Sequence, residues 1–315
     1  MRSVLCFLLC VFSAPVLPQA YPAKPIRMLV GYSAGGGADA LARLVAGKMG
    51  DALGQQVLVE NRPGAGATIA AAAVAGSPPD GYTIFFADTA LLIAPGIYQK
   101  LSFDPVRSFA PVSGACTTPL VIAVNNDVKA QSMSELIALA KSSPGRLSYG
   151  SPGVGTVHHL AMETFKRQAG VDIVHVPYKG ASAVIPDVIS GQIHIGIISA
   201  PPALAQSKAG RLRPLALTSP VKVAGAEWPA LADTLPGFDA SPRLFVLAPA
   251  GTSPEIVHKL NGVIKAGLES HDLLDAFARQ GAFPDWSTPQ ALGSRMAEES
   301  RRWSQIAKDA GIRAE

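Results

Sequence analysis

Short apolar runs, glycine-bearing loops and helical repeats alternate along this chain. Ile26-Arg27-Met28-Leu29-Val30 reads as a buried strand, and Gly31 to Gly37 as the loop that leaves it. From Ala38 to Met49, Leu41, Leu44, Val45 and Met49 recur at helical spacing. Strand Gln56 to Glu60, loop Asn61 to Gly66, an Ala-rich helix through Ala75 and strand Tyr82 to Phe86 follow. Pro78-Pro79-Asp80-Gly81 is the turn before that last strand. Strands alternating with helices predict βαβ units and a parallel sheet.

The same order returns about 120 residues later, as architecture and not as residue identity. It runs through strand Arg146 to Tyr149, loop Gly150 to Gly155, helix Thr156 to Gln168 and strand Asp172 to Val176. Loop Pro177 to Ala181, helix Ser182 to Ser190 and strand Gln192 to Ile198 complete it. Two α/β lobes built alike are the expectation. Leu120 to Val124 and Leu244 to Ala248 are further apolar strands, and if both cross between lobes the second lobe is an insertion. Residues 21–121 plus 245–315 then form lobe 1, and 122–244 form lobe 2. Helices Pro254 to Ser270 and Pro289 to Ala310 would pack back on lobe 1. Ligands of open parallel sheets bind beyond the carboxyl ends of the strands. Two such edges facing each other make a cleft that closes by hinge motion.

The first 20 residues add a destination. Arg2, the apolar stretch Val4 to Phe12 and a tail ending at Ala20 fit a secretory signal peptide, cleaved after Ala20 and leading to the periplasm. Its apolar run is too short to span a bilayer. Pro18 departs from the small residue expected three places before the cut, and the bulky Leu9 before Cys10 argues against a lipid anchor. No later stretch is long and apolar enough for a span. Cleavage leaves Cys116 as the one cysteine, so no intramolecular disulfide is expected and stability must come from a core. Cys116 itself reads as a small buried hydrophobe.

Lys and Arg number 27 against 23 Asp and Glu, a net charge of +4 spread along the chain. With aromatics at 6%, there is neither a basic stripe nor a stacking platform for nucleic acid. The mild positive bias favours encounter with anions.

The chemistry concentrates in two loops. Ser33-Ala34-Gly35-Gly36-Gly37-Ala38-Asp39 joins a strand end to a helix start, and Ser151-Pro152-Gly153-Val154-Gly155-Thr156 does the same in the second lobe. Glycine lets backbone approach a ligand closely, and the N–H groups and dipole of a helix start favour an anion. Paired in equivalent positions, the loops read as a carboxylate clamp; singly, each serves equally as a tight turn. Asp39 either caps its helix or holds a ligand amine or water. His158 is either a hydrogen-bonding loop residue or a satisfied core histidine. His158 and His159 are helical neighbours that point apart, and no His or Cys cluster joins them, so no metal site is expected. No cofactor is expected either.

Gly31-Tyr32-Ser33-Ala34-Gly35 also matches the nucleophile elbow of α/β-hydrolases, the alternative reading, an esterase using Ser33. Against it, the elbow falls on the first strand after residue 20, leaving no earlier loop for an oxyanion hole. His258 and His271 follow in permitted order but lie within helical patterns. Neither loop carries a dinucleotide fingerprint or the G-K-[ST] of a P-loop.

A series of segments then carries a resemblance. Tyr21 to Arg27, Gly35 to Asp39, Val59 to Gly66 and Pro79 to Thr83 are its first members. Phe109 to Val112, His175 to Gly180, Gly210 to Ala216 and Ala248 to Thr252 continue it in order. Together they resemble the substrate-binding proteins of tripartite tricarboxylate transporters, the Bug family. The resemblance implies a type II periplasmic-binding fold, a small carboxylate held by both loops partly through water, and two membrane-protein partners. Members also serve other roles, sensing among them. A monomer that binds ligand without transforming it is expected. Gly36, Gly37 and Asp39 match the family's first loop; Ser151, Gly155, Thr156 and His158 match the second. Ser33, Thr89 and Ser199 join them as ligand-binding candidates. Two departures alter the pocket. Ser199-Ala200-Pro201 stands where the family usually has an acidic residue, and Arg243-Leu244-Phe245 where it often has Trp-x-Gly. Arg243 either pairs with a ligand carboxylate from the hinge or is a solvated surface residue.

Overall fold

The computed structural model describes residues 21–178 and 181–313. The signal peptide expected over residues 1–20 lies outside them, as do residues 179–180 of the loop expected after Val176.

Lobe 1 opens with β1 (Ile26–Val30), α1 (Gly37–Leu53), β2 (Val57–Asn61), α2 (Thr68–Ala75), β3 (Thr83–Asp88), α3 (Thr89–Ile97) and β4 (Phe109–Thr117). Lobe 2 runs through β5 (Leu120–Val124), α4 (Met133–Ser142), β6 (Ser148–Ser151), α5 (Val157–Ala169) and β7 (Val174–Pro177). It continues with α6 (Ala181–Ile189), β8 (Ile195–Ser199), α7 (Ala200–Lys208) and β9 (Arg213–Leu217). The chain returns to lobe 1 as β10 (Arg243–Pro249), α8 (Pro254–Leu268), α9 (His271–Arg279), β11 (Phe283–Pro284) and α10 (Pro289–Asp309).

The two sheets share one plan. Lobe 1 has the order β2-β1-β3-β10-β4 with β11 beyond β4, and lobe 2 the order β7-β6-β8-β5-β9. Three strands of each run parallel, as expected from the βαβ pattern. The fourth in each, β10 or β5, is antiparallel, so both sheets are mixed and not purely parallel. Leu120 to Val124 and Leu244 to Ala248 do not cross between lobes; each is an inner strand of one sheet. The crossings are made by Thr118 and Pro119 and by the segment after β9, and they touch where Thr118 N–H donates to the Pro242 carbonyl at 2.9 Å.

Strand alternation builds the core. In β1, Ile26, Met28 and Val30 face α1, α8 and α9, while Leu29 faces the other side. That opposite layer, with Phe85, Leu91 and Trp303, is continuous with Leu120, Ile122, Leu160 and Phe165 of lobe 2, so one apolar body joins the lobes. Cys116 is buried within lobe 1, as its composition suggested. No described helix is long and apolar enough to cross a membrane.

Register fixes how the loop-bearing edges meet. Leu244 pairs with Asp88 at the end of β3, and Leu120 pairs with Ser199 at the end of β8. The carboxyl ends of the parallel strands in both lobes therefore open beside the two crossings, facing one cleft.

Candidate functional site

The first loop leaves β1 at Val30 and enters α1 at Gly37, with Ser33 to Gly37 exposed. Gly36 is the N-cap of α1, in extended conformation and without a side-chain cap. The first N–H groups of a helix have no partner within it, so the start of α1 presents free donors to the cleft. Asp39 does not fill that role by ordinary capping. It is buried, and its carboxylate accepts from Gly35 N–H (2.9 Å), Arg43 Nε (3.0 Å) and Asn61 Nδ2 (2.9 Å). Those bonds hold its carboxyl down to about 2, Arg43 first, against the upward pull of burial. Asp39 thus ties the loop to α1 and to the end of β2, and all its acceptor sites are engaged.

Loop one is also tied to the next strand end. Tyr32 Oη donates to Asp88 Oδ2 at 2.6 Å, and Asp88 Oδ1 caps α3 by accepting from Ala90 N–H. Burial pushes the Asp88 carboxyl up to about 6, partly offset by these two donors. Thr89 is buried, its hydroxyl accepting from Arg243 N–H at 2.9 Å. It pins β10 to α3.

In the second loop Ser151 is fully buried. Its hydroxyl bonds the Gly153 carbonyl (3.1 Å) and lies 2.7 Å from His175 Nε2. Thr156 caps α5 through His159 N–H (3.3 Å) and donates to the Gly153 carbonyl (2.8 Å). Gly155 sits at φ 76°, and a Cβ there would lie 2.6 Å from Ile97 Cδ1 of α3. Its missing side chain makes room for Ile97 of the other lobe. His158 Nε2 is buried with no partner among the described residues, and burial alone lowers its imidazole to about 4, hence neutral. Ser199 starts α7 without capping it.

Arg243 is neither free for a ligand nor a solvated surface residue. Its guanidinium bonds Asp285 (2.9 Å), Glu299 (3.1 Å) and Asp239, with Arg295 completing the group on Asp285 at 2.8 Å. Its neighbouring carboxylates raise it further above its already high value, against desolvation.

The structure therefore brings Ser33, Gly36, Gly37 and Ser199 to the facing edges, with Ser151, Thr156 and His158 shaping the second loop, while Asp39, Thr89 and Arg243 are engaged elsewhere. Tyr32, Asn61, Asp88, His159 and His175 belong to the site's framework without having been singled out. Asp88 is an N-cap residue type, but Pro95 obscures the helix that it starts; the others are joined only by folding. Ser33 bonds no imidazole among the described residues, and its backbone lacks the positive φ found at Ala65 and Ala67. A groove of ≈ 480 Å³ between α5 and α10 lies toward the far end of α5 from the second loop.

Two like-built α/β lobes, joined by two crossings and opening their strand ends on one cleft, define a binding protein of the periplasmic type. The chain belongs to the tripartite tricarboxylate transporter receptor family, whose model, "Tripartite tricarboxylate transporter family receptor", matches residues 41–312. It is 35% identical over 96% of its length to Protein BugT of Bordetella pertussis, covering 94% of that protein. Among solved structures, Rpa4515 of R. palustris with adipate is 32% identical with a TM-score of 0.78, covering 93% of this chain and 100% of that one. MatC of Rhodopseudomonas palustris with bound malate is 26% identical with a TM-score of 0.74, covering 91% and 100%. Receptors of this family bind substrates, and the expected family and two-lobed fold are borne out.

Proposed function

We propose that this protein works in the periplasm as a monomer, capturing a small carboxylate between its lobes for membrane subunits of a tripartite tricarboxylate-type transporter or for sensing. The uncapped start of α1, exposed at the cleft edge, carries this reading most directly. An anion there meets backbone donors and the positive end of a helix dipole. Ser33, Gly36 and Gly37 supply the lobe 1 side. The start of α5 and Ser199 supply the lobe 2 side, with His158 beside them as a neutral donor or acceptor. Relatives solved with adipate and malate support a dicarboxylate as the first class to try.

The test is thermal unfolding with mono-, di- and tricarboxylates, aromatic acids and amino acids. Ligand at about 100 times its Kd stabilises by roughly 2.7 kcal/mol, which for a protein of this size raises Tm by roughly 5 °C or more. Shifts given only by sugars or metal ions would overturn the reading.

Gly37→Val separates ligand space from turn geometry. A Cβ at Gly37 meets nothing within 4 Å, so the unliganded protein should keep its stability. The side chain would stand where an anion approaches the helix start, and titration calorimetry should show affinity falling by ten-fold or more, about 1.4 kcal/mol. Unchanged affinity would make the first loop only a turn.

A further inference from the structure

Behind the second loop lies a cluster that ligand contact does not explain. The rings of His159 and His175 stack with centroids 3.8 Å apart and planes within 17°, and Tyr149 packs against both, 4.8 Å from His175 and 6.4 Å from His159. Each imidazole reaches one end of the loop. His175 Nε2 meets the Ser151 hydroxyl where the loop begins, and His159 Nδ1 accepts the Gly155 N–H at 3.1 Å where it ends.

The hydrogen bonds assign the His159 proton. A backbone N–H can only donate, so His159 Nδ1 is bare and its proton sits on Nε2. Ser151 Oγ accepts Gly153 N–H, and its one proton can serve either the Gly153 carbonyl or His175 Nε2. Protonation of His159 replaces the acceptor of Gly155 N–H with a donor aimed at another donor.

The surroundings keep His159 neutral. From α5, Lys166 and Glu163 face the pair, and they are bound to each other at 2.8 Å; His159 Nε2 stands 3.9 Å from Glu163. From β6, the Tyr149 hydroxyl donates to the same Glu163 oxygen at 2.8 Å. The adjoining residue of α3, Ile97, is apolar, and the Asp309 of α10 is taken by Arg167 further along α5. Burial, His175 and Lys166 together lower His159 to about 3.

We propose that His159 is a positioning residue: as a neutral acceptor it holds Gly155 N–H and so fixes the second loop in its ligand-receiving shape, with His175 anchoring the opposite end. This rests on the carboxylate-binding reading above only for its effect on affinity. The loop's dependence on His159 stands apart from it.

Full-length mature protein, His159→Leu and His159→Asn would be compared by amide NMR and by titration with malate and adipate. Asn keeps a short side-chain acceptor near the position of Nδ1; Leu fills similar space without one. In wild type the Gly155 amide proton should be shifted downfield by its bond to nitrogen, and amides of residues 153–156 should exchange slowly. His159→Leu should lose that shift, speed exchange in this loop by ten-fold or more, and weaken carboxylate binding by roughly ten-fold. His159→Asn should restore most of both. Exchange and affinity unchanged in a folded His159→Leu would overturn the proposal, as would equal losses in Leu and Asn variants. Wild type that binds neither acid would count against the carboxylate reading, and exchange in the loop would then decide the role of His159 alone.

Discussion

Arg243→Met is expected to cost about 3–5 kcal/mol of stability, the range for removing one partner of a buried charge group. Arg243 joins Asp239, at the end of a crossing, to Asp285 beyond β11 and Glu299 of α10. Its side chain is 19% exposed and those of Asp285 and Glu299 20% and 11%, so water replaces little of what is lost. Arg295 still reaches Asp285, but Asp239 and Glu299 lose their counter-charge. Burial already raises Glu299, and without Arg243 its folded-state pKa would rise further above the unfolded one. A carboxyl raised in the folded state costs stability above its pKa and nothing once both states are protonated. The deficit should therefore be largest near pH 7 and shrink as pH falls toward about 4. Urea unfolding at the two pH values measures it. Carboxylate affinity should change little; an affinity loss at unchanged stability would return Arg243 to the ligand.

Asp39→Ala is expected to lose about 3 kcal/mol and, with it, most ligand affinity. Hydrogen bonds to a charged group are worth roughly 1.5–3 kcal/mol each, and Gly35 N–H and Asn61 Nδ2 would both lose theirs. Arg43, half exposed, adds little to the total. With its folded pKa lowered to about 2, Asp39 contributes stability above the unfolded carboxylate value near 3.9. That contribution disappears as pH falls through about 2, so wild type and variant should converge between pH 4 and 2. Chemical denaturation across that range, with carboxylate titration at pH 7, tests both parts. A variant that loses affinity while keeping its stability would instead place Asp39 against the ligand.

Much of the scaffold was legible because buried strands and amphipathic helices announce themselves within a few residues. β1, α1, β2 and the repeat of that order around β6 to β8 follow from apolar runs and glycine loops. Four helices did not announce themselves, among them α4, an exposed-faced segment of ten residues. Pro95 interrupts the pattern of α3, and two prolines at the start of α7 read as breakers although a first turn tolerates them. In α9, Leu273, Ala276 and Phe277 face the core in a segment of only nine residues. Strand direction was not legible either, since β5 and β10 look alike whether they join a sheet parallel or antiparallel. For the site, loop positions came from local sequence, but partners did not. Arg243 meets Asp285 and Glu299 across 42 and 56 positions, and Ser151 meets His175 across 24. The backbone of a loop can be read from its glycines; the side chains that stiffen it arrive from wherever the fold brings them.

The place of β10 has a consequence for how the chain is assembled in time. It lies between β3 and β4 in the sheet, yet all of lobe 2 precedes it in sequence. A chain delivered from its N-terminus can complete the sheet of lobe 2 before that of lobe 1 has its inner strand. Until residue 243 arrives, β3 and β4 have no strand between them, and each offers an unpaired edge to any passing strand. Closing that gap is a long-range step, slow by nature because distant segments must meet. The hazardous interval in this protein's life thus falls late in its delivery, in the half that was made first.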